Sequence, residues 1–184
     1  MKRLFFAIKF NQDFIRKISC YQEKLKGDYL RIISPENLHL TLLFLGEIED
    51  CYLKDIEQIA NKATQQANFK TIFLKLKRIE YGTNPSRPRL IWITGEQNKE
   101  LIKLYHLLKH SLKSFILKED HFDFIPHITI ARFNRFFTKE QLPSLPSPSF
   151  FENKILTINS FYLMESKLSY QKGAEYFELK KYQL

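Results

Sequence analysis

A chain of 184 residues in which 44% of side chains are hydrophobic has enough apolar surface to bury a core, which excludes a disordered chain. No stretch approaches the ~20 apolar residues a membrane-spanning helix needs, and a membrane partner is not expected. The formal net charge of +9 points to a polyanionic partner without choosing between RNA, DNA and an acidic surface.

The opening MKRLFFAIKF has the outline of a signal peptide, but Lys9 interrupts its short apolar run and no small-residue cleavage site follows. Residues 3–9 are therefore expected to form a first strand. Asp13 can cap a helix with Phe14, Ile18, Tyr21 and Leu25 on one face, stopped by Gly27. A strand is predicted over 38–45, then a helix over 52–68 carrying Leu53, Ile56, Ala60, Ala63 and Ala67 at helical spacing. Residues 71–80 alternate as a strand does. The same order then returns, with strand 89–94, a long helix over about 97–117, and strand 127–133 opening just after Pro126. TKEQL (138–142) can make a helical turn and 143–149 a Pro/Ser loop. Further strands are expected at about 154–164 and 174–182. Cys20 and Cys51 lack a metal-type spacing and read as reduced thiols of a cytoplasmic protein.

Two passes through strand–helix–strand–helix–strand suggest an internal duplication, with repeats at about 1–82 and 88–165 and a closing strand at 174–182. Parallel βαβ units and antiparallel neighbours linked by helices both fit this order. The duplication directs attention to His39-Leu40-Thr41-Leu42 and His127-Ile128-Thr129-Ile130, each in the third element of its half. Residues i and i+2 of a strand share a face, so each imidazole stands beside a hydroxyl while the apolar residues pack on the other side. One such string is ordinarily a structural strand histidine; two in matching positions point to one shared site. Imidazoles with an ordinary pKa of about 6.5 can supply a base that deprotonates water and an acid that protonates a leaving oxygen. The threonine hydroxyls can bond the non-bridging oxygens of a phosphodiester.

A zinc site competes for these residues. It needs three protein ligands, and although His121 and Asp123 lie near His127, no HExxH or similar spacing accompanies them. No metal is therefore expected.

With these segments in view, the chain resembles the RNA 2′,3′-cyclic phosphodiesterases of the two-histidine phosphoesterase superfamily, formerly described as 2′–5′ RNA ligases. The similarity runs nearly end to end, through RLFFAI, ENLHLTLLFLGEI (36–48), RPRLIW (87–92), PHITIARF (126–133) and LMESKLSYQKGAEYFEL (163–179). It implies one α+β domain over 1–184 that is bilobal, with two antiparallel sheets facing a basic central cleft and helices outside. It implies metal-independent and cofactor-free hydrolysis of RNA 2′,3′-cyclic phosphate ends to 2′-phosphomonoesters; a monomer is expected. By position His39 corresponds to the family's proton donor and His127 to its proton acceptor. Thr41 and Thr129 correspond to its phosphate-binding threonines, and Arg132 to a further phosphate contact.

Two departures stand out. Leu43 occupies a place where many relatives carry Lys, and simple alternation turns it to the same side as His39 and Thr41. Tyr170 and Gln171 replace a more usual Pro in the C-terminal hairpin. Phe44 and Phe133 are candidates for stacking on a base, although core packing is the ordinary place for Phe, as it is for Trp92. Arg3, Arg87 and Arg89 are basic residues for the cleft or for an open solvated face. The same chemistry on 2′–5′ linked or small cyclic nucleotides, and a non-catalytic RNA-binding module, are the alternative functions.

Overall fold

A computed structural model of the chain describes residues 1–25, 27–84, 87–116, 123–134, 137, 142, 144–147, 151, 154–169 and 173–184. The TKEQL turn, apart from Leu142, falls outside these residues, as do the Tyr170–Gln171 substitution and His121.

The strands are β1 (Lys2–Lys9), β2 (Leu30–Ile32), β3 (His39–Ile48), β4 (Ile72–Gly82), β5 (Leu90–Gly95), β6 (His127–Phe133), β7 (Ile155–Ile158), β8 (Ser160–Ser169) and β9 (Gly173–Gln183). Three helices intervene: α1 (Gln12–Gln22), α2 (Leu53–Ala67) and α3 (Lys99–Ser111). The described pairs are all antiparallel, in the order β7-β4-β5-β6-β3-β1-β8-β9, with β2 beside β6. This resolves the topology that periodicity left open.

The arms β9-β8-β1-β3 and β6-β5-β4-β7 meet through the single register pair Leu40↔Ile128. The predicted strand 154–164 is two strands, broken at Asn159, because its parts serve different arms. β7 lies on β4 and β8 on β1. One residue thus links the far edge of one arm to the interior of the other, which is possible only if the path of strands curls back on itself. The last strand of each half also crosses over: β4 lies beside β5, and β8 beside β1.

One face of this path carries the main core. Leu4, Phe6 and Ile8 of β1, Leu40 and Leu42 of β3, and Ile128 and Ile130 of β6 pack with Phe14, Ile18, Ile56, Ala60, Leu101, Leu104 and Leu108 of the helices. Each of these Leu, Ile and Phe side chains contributes roughly 1.5–3 kcal/mol when fully buried. The cap of α1 is Asn11, whose side chain accepts from the Phe14 amide at 2.9 Å, while Asp13 forms an ion pair with Arg16 instead. Asn68 ends α2 in the left-handed region at φ 46°. Asn98 caps α3, which stops at Ser111; a 3₁₀ turn over Lys113–Phe115 then prolongs the apolar spacing that suggested a helix to 117.

Candidate active site

β3 and β6 are built alike. In the first, Ala7 pairs with Thr41 and Phe6 with Leu43, leaving Leu42 as an extra residue. In the second, Trp92 pairs with Thr129 and Ile91 with Ala131, leaving Ile130 extra. Each His-x-Thr is therefore followed by a β-bulge, which reverses the alternation of the residues just beyond it, until in β3 a second bulge at Leu45 restores it. The expected position of Leu43 is corrected by this geometry. Leu43 is buried at 6% exposure, and Phe44 takes the open face at 58%. In β6 the same step turns Ala131 inward and Arg132 outward. Position i+5 from each histidine thus shares the histidine's face, as Phe44 in one arm and Arg132 in the other.

A bulge leaves a backbone carbonyl outside the ladder. At Ile130 that carbonyl accepts from the Ile33 amide at 3.0 Å and from Nε2 of buried Gln22 at 2.8 Å. Gln22 Nε2 also donates to the Ile33 carbonyl at 2.8 Å, so α1 fixes both the bulge and the exit of β2.

One cavity is lined by His39, Thr41 and Phe44 of one arm and by Leu90, His127, Thr129 and Arg132 of the other. The segment before β3 adds Arg31, Ser34 and Asn37, and β9 adds Ala174 and Tyr176. The six residues expected at the site are thus brought together. Phe44 faces the cavity rather than the core. Trp92 is only half-buried, its ring tilted against that of His127 at 4.7 Å between centroids. Phe133 packs against Tyr29, Tyr81 and Phe137 and does not line the cavity.

Both imidazoles are held in the same way. His39 donates from Nδ1 to the carbonyl of Asn37 at 2.7 Å, and His127 from Nδ1 to that of Ile125 at 2.8 Å. A carbonyl only accepts, so each neutral ring carries its proton on Nδ1 and keeps the lone pair on Nε2. Nε2 of His39 accepts from the Thr41 hydroxyl at 3.0 Å. That of His127 has no hydrogen-bond partner among the described residues.

Burial pushes the His39 pKa down to about 4, against the raising effect of the Asn37 carbonyl; the positive charges of His127, Arg132 and Lys9 lower it further. His127 is lowered as well, by burial first and then by Arg132, with the Ile125 carbonyl opposing. At neutral pH the site holds two neutral imidazoles beneath a cationic rim. That is an environment that rewards an anion.

Several contributors escaped sequence reading. Phe5 lies under the His39 ring at 5.2 Å, and Tyr176 meets its edge at 5.0 Å. Phe5 and Ala7 form a small second cluster with Met164 on the cavity side. β1 is therefore apolar on both faces, and an unbroken apolar run cannot say which residue faces the site. Asn37 supplies the His39 carbonyl contact and ties its own amide nitrogen to the Ala174 carbonyl at 2.8 Å, joining β9 to the site. Its position two before His39, like Ile125 before His127, was the available signal. Among the described residues no group of three His, Cys, Asp or Glu side chains converges to hold a metal ion.

The sequence profile of the 2′-5′ RNA ligase superfamily matches residues 11–164, a span that includes both histidine strands. The chain belongs to this superfamily. Within it, the RNA 2′,3′-cyclic phosphodiesterase of Methanocaldococcus jannaschii is 31% identical over 140 residues, 76% of each chain. That of Thermotoga maritima is 34% identical over 135 residues, covering 71% of this chain and 69% of the relative. Among solved structures, a Thermus thermophilus protein superposes with a TM-score of 0.81 at 26% identity, covering 99% of this chain and 97% of its own. E. coli LigT in complex with phosphate gives 0.78 at 25% identity, with 100% and 97% covered, and LigT has also been crystallised with 3′-AMP. The curled antiparallel α+β architecture of this chain is that of its superfamily neighbours.

Proposed function

We propose that this protein hydrolyses the 2′,3′-cyclic phosphate at the end of an RNA to a 2′-phosphomonoester, without metal or nucleotide cofactor. The relatives named above carry the name of that activity. The observation that carries the mechanism is the matched pair of imidazoles, each anchored through Nδ1 to the carbonyl two residues earlier and sharing one cavity. Nε2 of His127, free of a partner, takes a proton from the attacking water. The new P–O bond forms as the P–O3′ bond breaks, and protonated His39 delivers its Nε2 proton to the departing 3′-oxygen. Thr41, Thr129 and Arg132 hold the non-bridging oxygens, where charge grows in the transition state.

The low pKa of His39 suits this role once substrate is bound. A phosphate anion in the cavity offsets Arg132 and Lys9 and raises the population of the imidazolium, which is an acidic donor because burial disfavours its charge. The chain acts as one two-histidine phosphoesterase domain over 1–184, built of repeats 1–82 and 88–165 closed by the C-terminal strand, and as a monomer. Cys20 and Cys51 are both free and exposed, which fits a reducing cytoplasm.

The deciding experiment is turnover of an oligonucleotide ending in a 2′,3′-cyclic phosphate, with the product identified by phosphorus NMR. We expect a 2′-phosphate, formed at an undiminished rate in EDTA. A 3′-phosphate product would overturn the stated bond cleavage. Loss on chelation with recovery by zinc would replace the two-histidine chemistry with metal-assisted hydrolysis.

A further inference from the structure

β2 is three residues long, and its middle residue, Arg31, is the register partner of Arg132 on β6. Opposed residues of an antiparallel pair project from the same face, so two guanidinium groups stand side by side at the rim of the cavity. Like charges placed directly opposite destabilise a sheet, yet neither arginine has an ion-pair or hydrogen-bond partner among the described residues. The platform beneath them is fixed: Gln22 locks Ile33 to Ile130, and the Asn134 amide donates to the Tyr29 carbonyl at 2.8 Å. Both arginines line the cavity that holds His39 and His127.

Arg31 is not placed to share the reacting phosphate. Arg132 stands close enough to the histidines for its charge to act on both rings, and Arg31 is one strand further across, on β2. A phosphate held by the histidines with Arg132 and a second held by Arg31 therefore occupy neighbouring positions in one groove. Resting on the function proposed above, we infer that Arg31, beside Arg132, holds the phosphodiester immediately 5′ of the cyclic end. The site then selects a polynucleotide terminus over a free cyclic mononucleotide. Arg31 acts here as a specificity residue, through a charge-assisted contact to a group that does not react.

The test uses the intact protein, its Arg31→Gln and Arg31→Lys variants, and three substrates. These are a 2′,3′-cyclic mononucleotide, a dinucleotide ending in a 2′,3′-cyclic phosphate, and that dinucleotide with a neutral methylphosphonate as its internal linkage. For the wild type we expect kcat/KM on the charged dinucleotide to exceed that on the neutral one by roughly ten- to a hundredfold. In Arg31→Gln that ratio should collapse to within about twofold, and in Arg31→Lys much of it should return. The log–log salt slope of single-stranded RNA affinity should become shallower by about 0.7 in Arg31→Gln. Equal turnover of the two dinucleotides by the wild type, or an unchanged ratio in Arg31→Gln, overturns the assignment while leaving the proposed reaction standing. No turnover of any substrate by the wild type overturns the proposed reaction, and this inference with it.

Discussion

At the scale of single residues, the proposed function rests on two imidazoles with different surroundings. Replacing either His39 or His127 by Ala should lower turnover by roughly 10² to 10⁴, the usual contribution of a positioned acid or base. The double variant should lose far less than the product of the two losses, since both groups act in one transition state. A substrate with a strongly acidic leaving group needs little protonation, so it should partly rescue His39→Ala and not His127→Ala; the reverse result would exchange the roles. The lowered pKa of His39 has a second consequence. Between the unfolded value near 6.5 and the folded value of about 4, the native state binds fewer protons than the unfolded one. Stability should therefore fall as pH drops through that window and level off below it. Sulfate, whose charge stays constant there, should bind more tightly as pH falls and should raise the His39 pKa. Imidazole proton shifts followed by NMR with and without sulfate measure both effects, and a His39 titration unmoved by sulfate would contradict anion binding beside the ring.

At the scale of elements, the bulges at Leu42 and Ile130 decide which side chains face the cavity. Simple alternation turns Leu43 to the cleft, whereas the bulged strand buries it and turns Phe44 outward. The absence of Lys at position 43 thus removes no charge from the cavity. Leu43→Lys should force a cation into the core and lower stability by at least about 2 kcal/mol in urea unfolding, with no gain in RNA affinity. Phe44→Ala should do the converse. Its stability should change by no more than about 0.5 kcal/mol, because the ring is largely exposed. Affinity for an RNA end should drop by the ~1–3 kcal/mol typical of a base stacked on an aromatic ring. A Leu43→Lys protein that is stable and binds RNA more tightly would show that the bulge does not persist in solution.

At the scale of the whole molecule, the strand exchange between arms governs stability. Strand β4 ends the first half of the chain yet pairs with β5, and β8 from the second half pairs with β1. A fragment of residues 1–82 would leave β1 without one neighbour and β4 without its main partner, exposing apolar edges and open backbone groups. We expect fragments 1–82 and 83–184 each to lack cooperative unfolding when monitored by circular dichroism, and to regain it on mixing. Independent folding of either fragment would mean that the arms, rather than the exchanged whole, are the cooperative units.

Sequence by itself determined the parts whose signal is local. Helical spacing located α2 almost to the residue and strand alternation located β4, because one-sided burial imposes a period on the chain, while short apolar runs located β1, β3, β5 and β6. The repeated His-x-Thr string picked out four residues that line one cavity, since residue type and spacing fix which groups share a strand face. Tertiary structure alone decided the rest. The three-residue β2 has no period of its own and exists because β6 offers it an edge. The break at Asn159 follows from two arms competing for one stretch of strand. A bulge is set by the partner strand's register, so the outward turn of Phe44 and Arg132 could not be read from alternation. The facing of Arg31 toward Arg132, and of Tyr176 toward His39, arises from pairings between residues about 100 or more positions apart, for which a linear sequence carries no local physical signal.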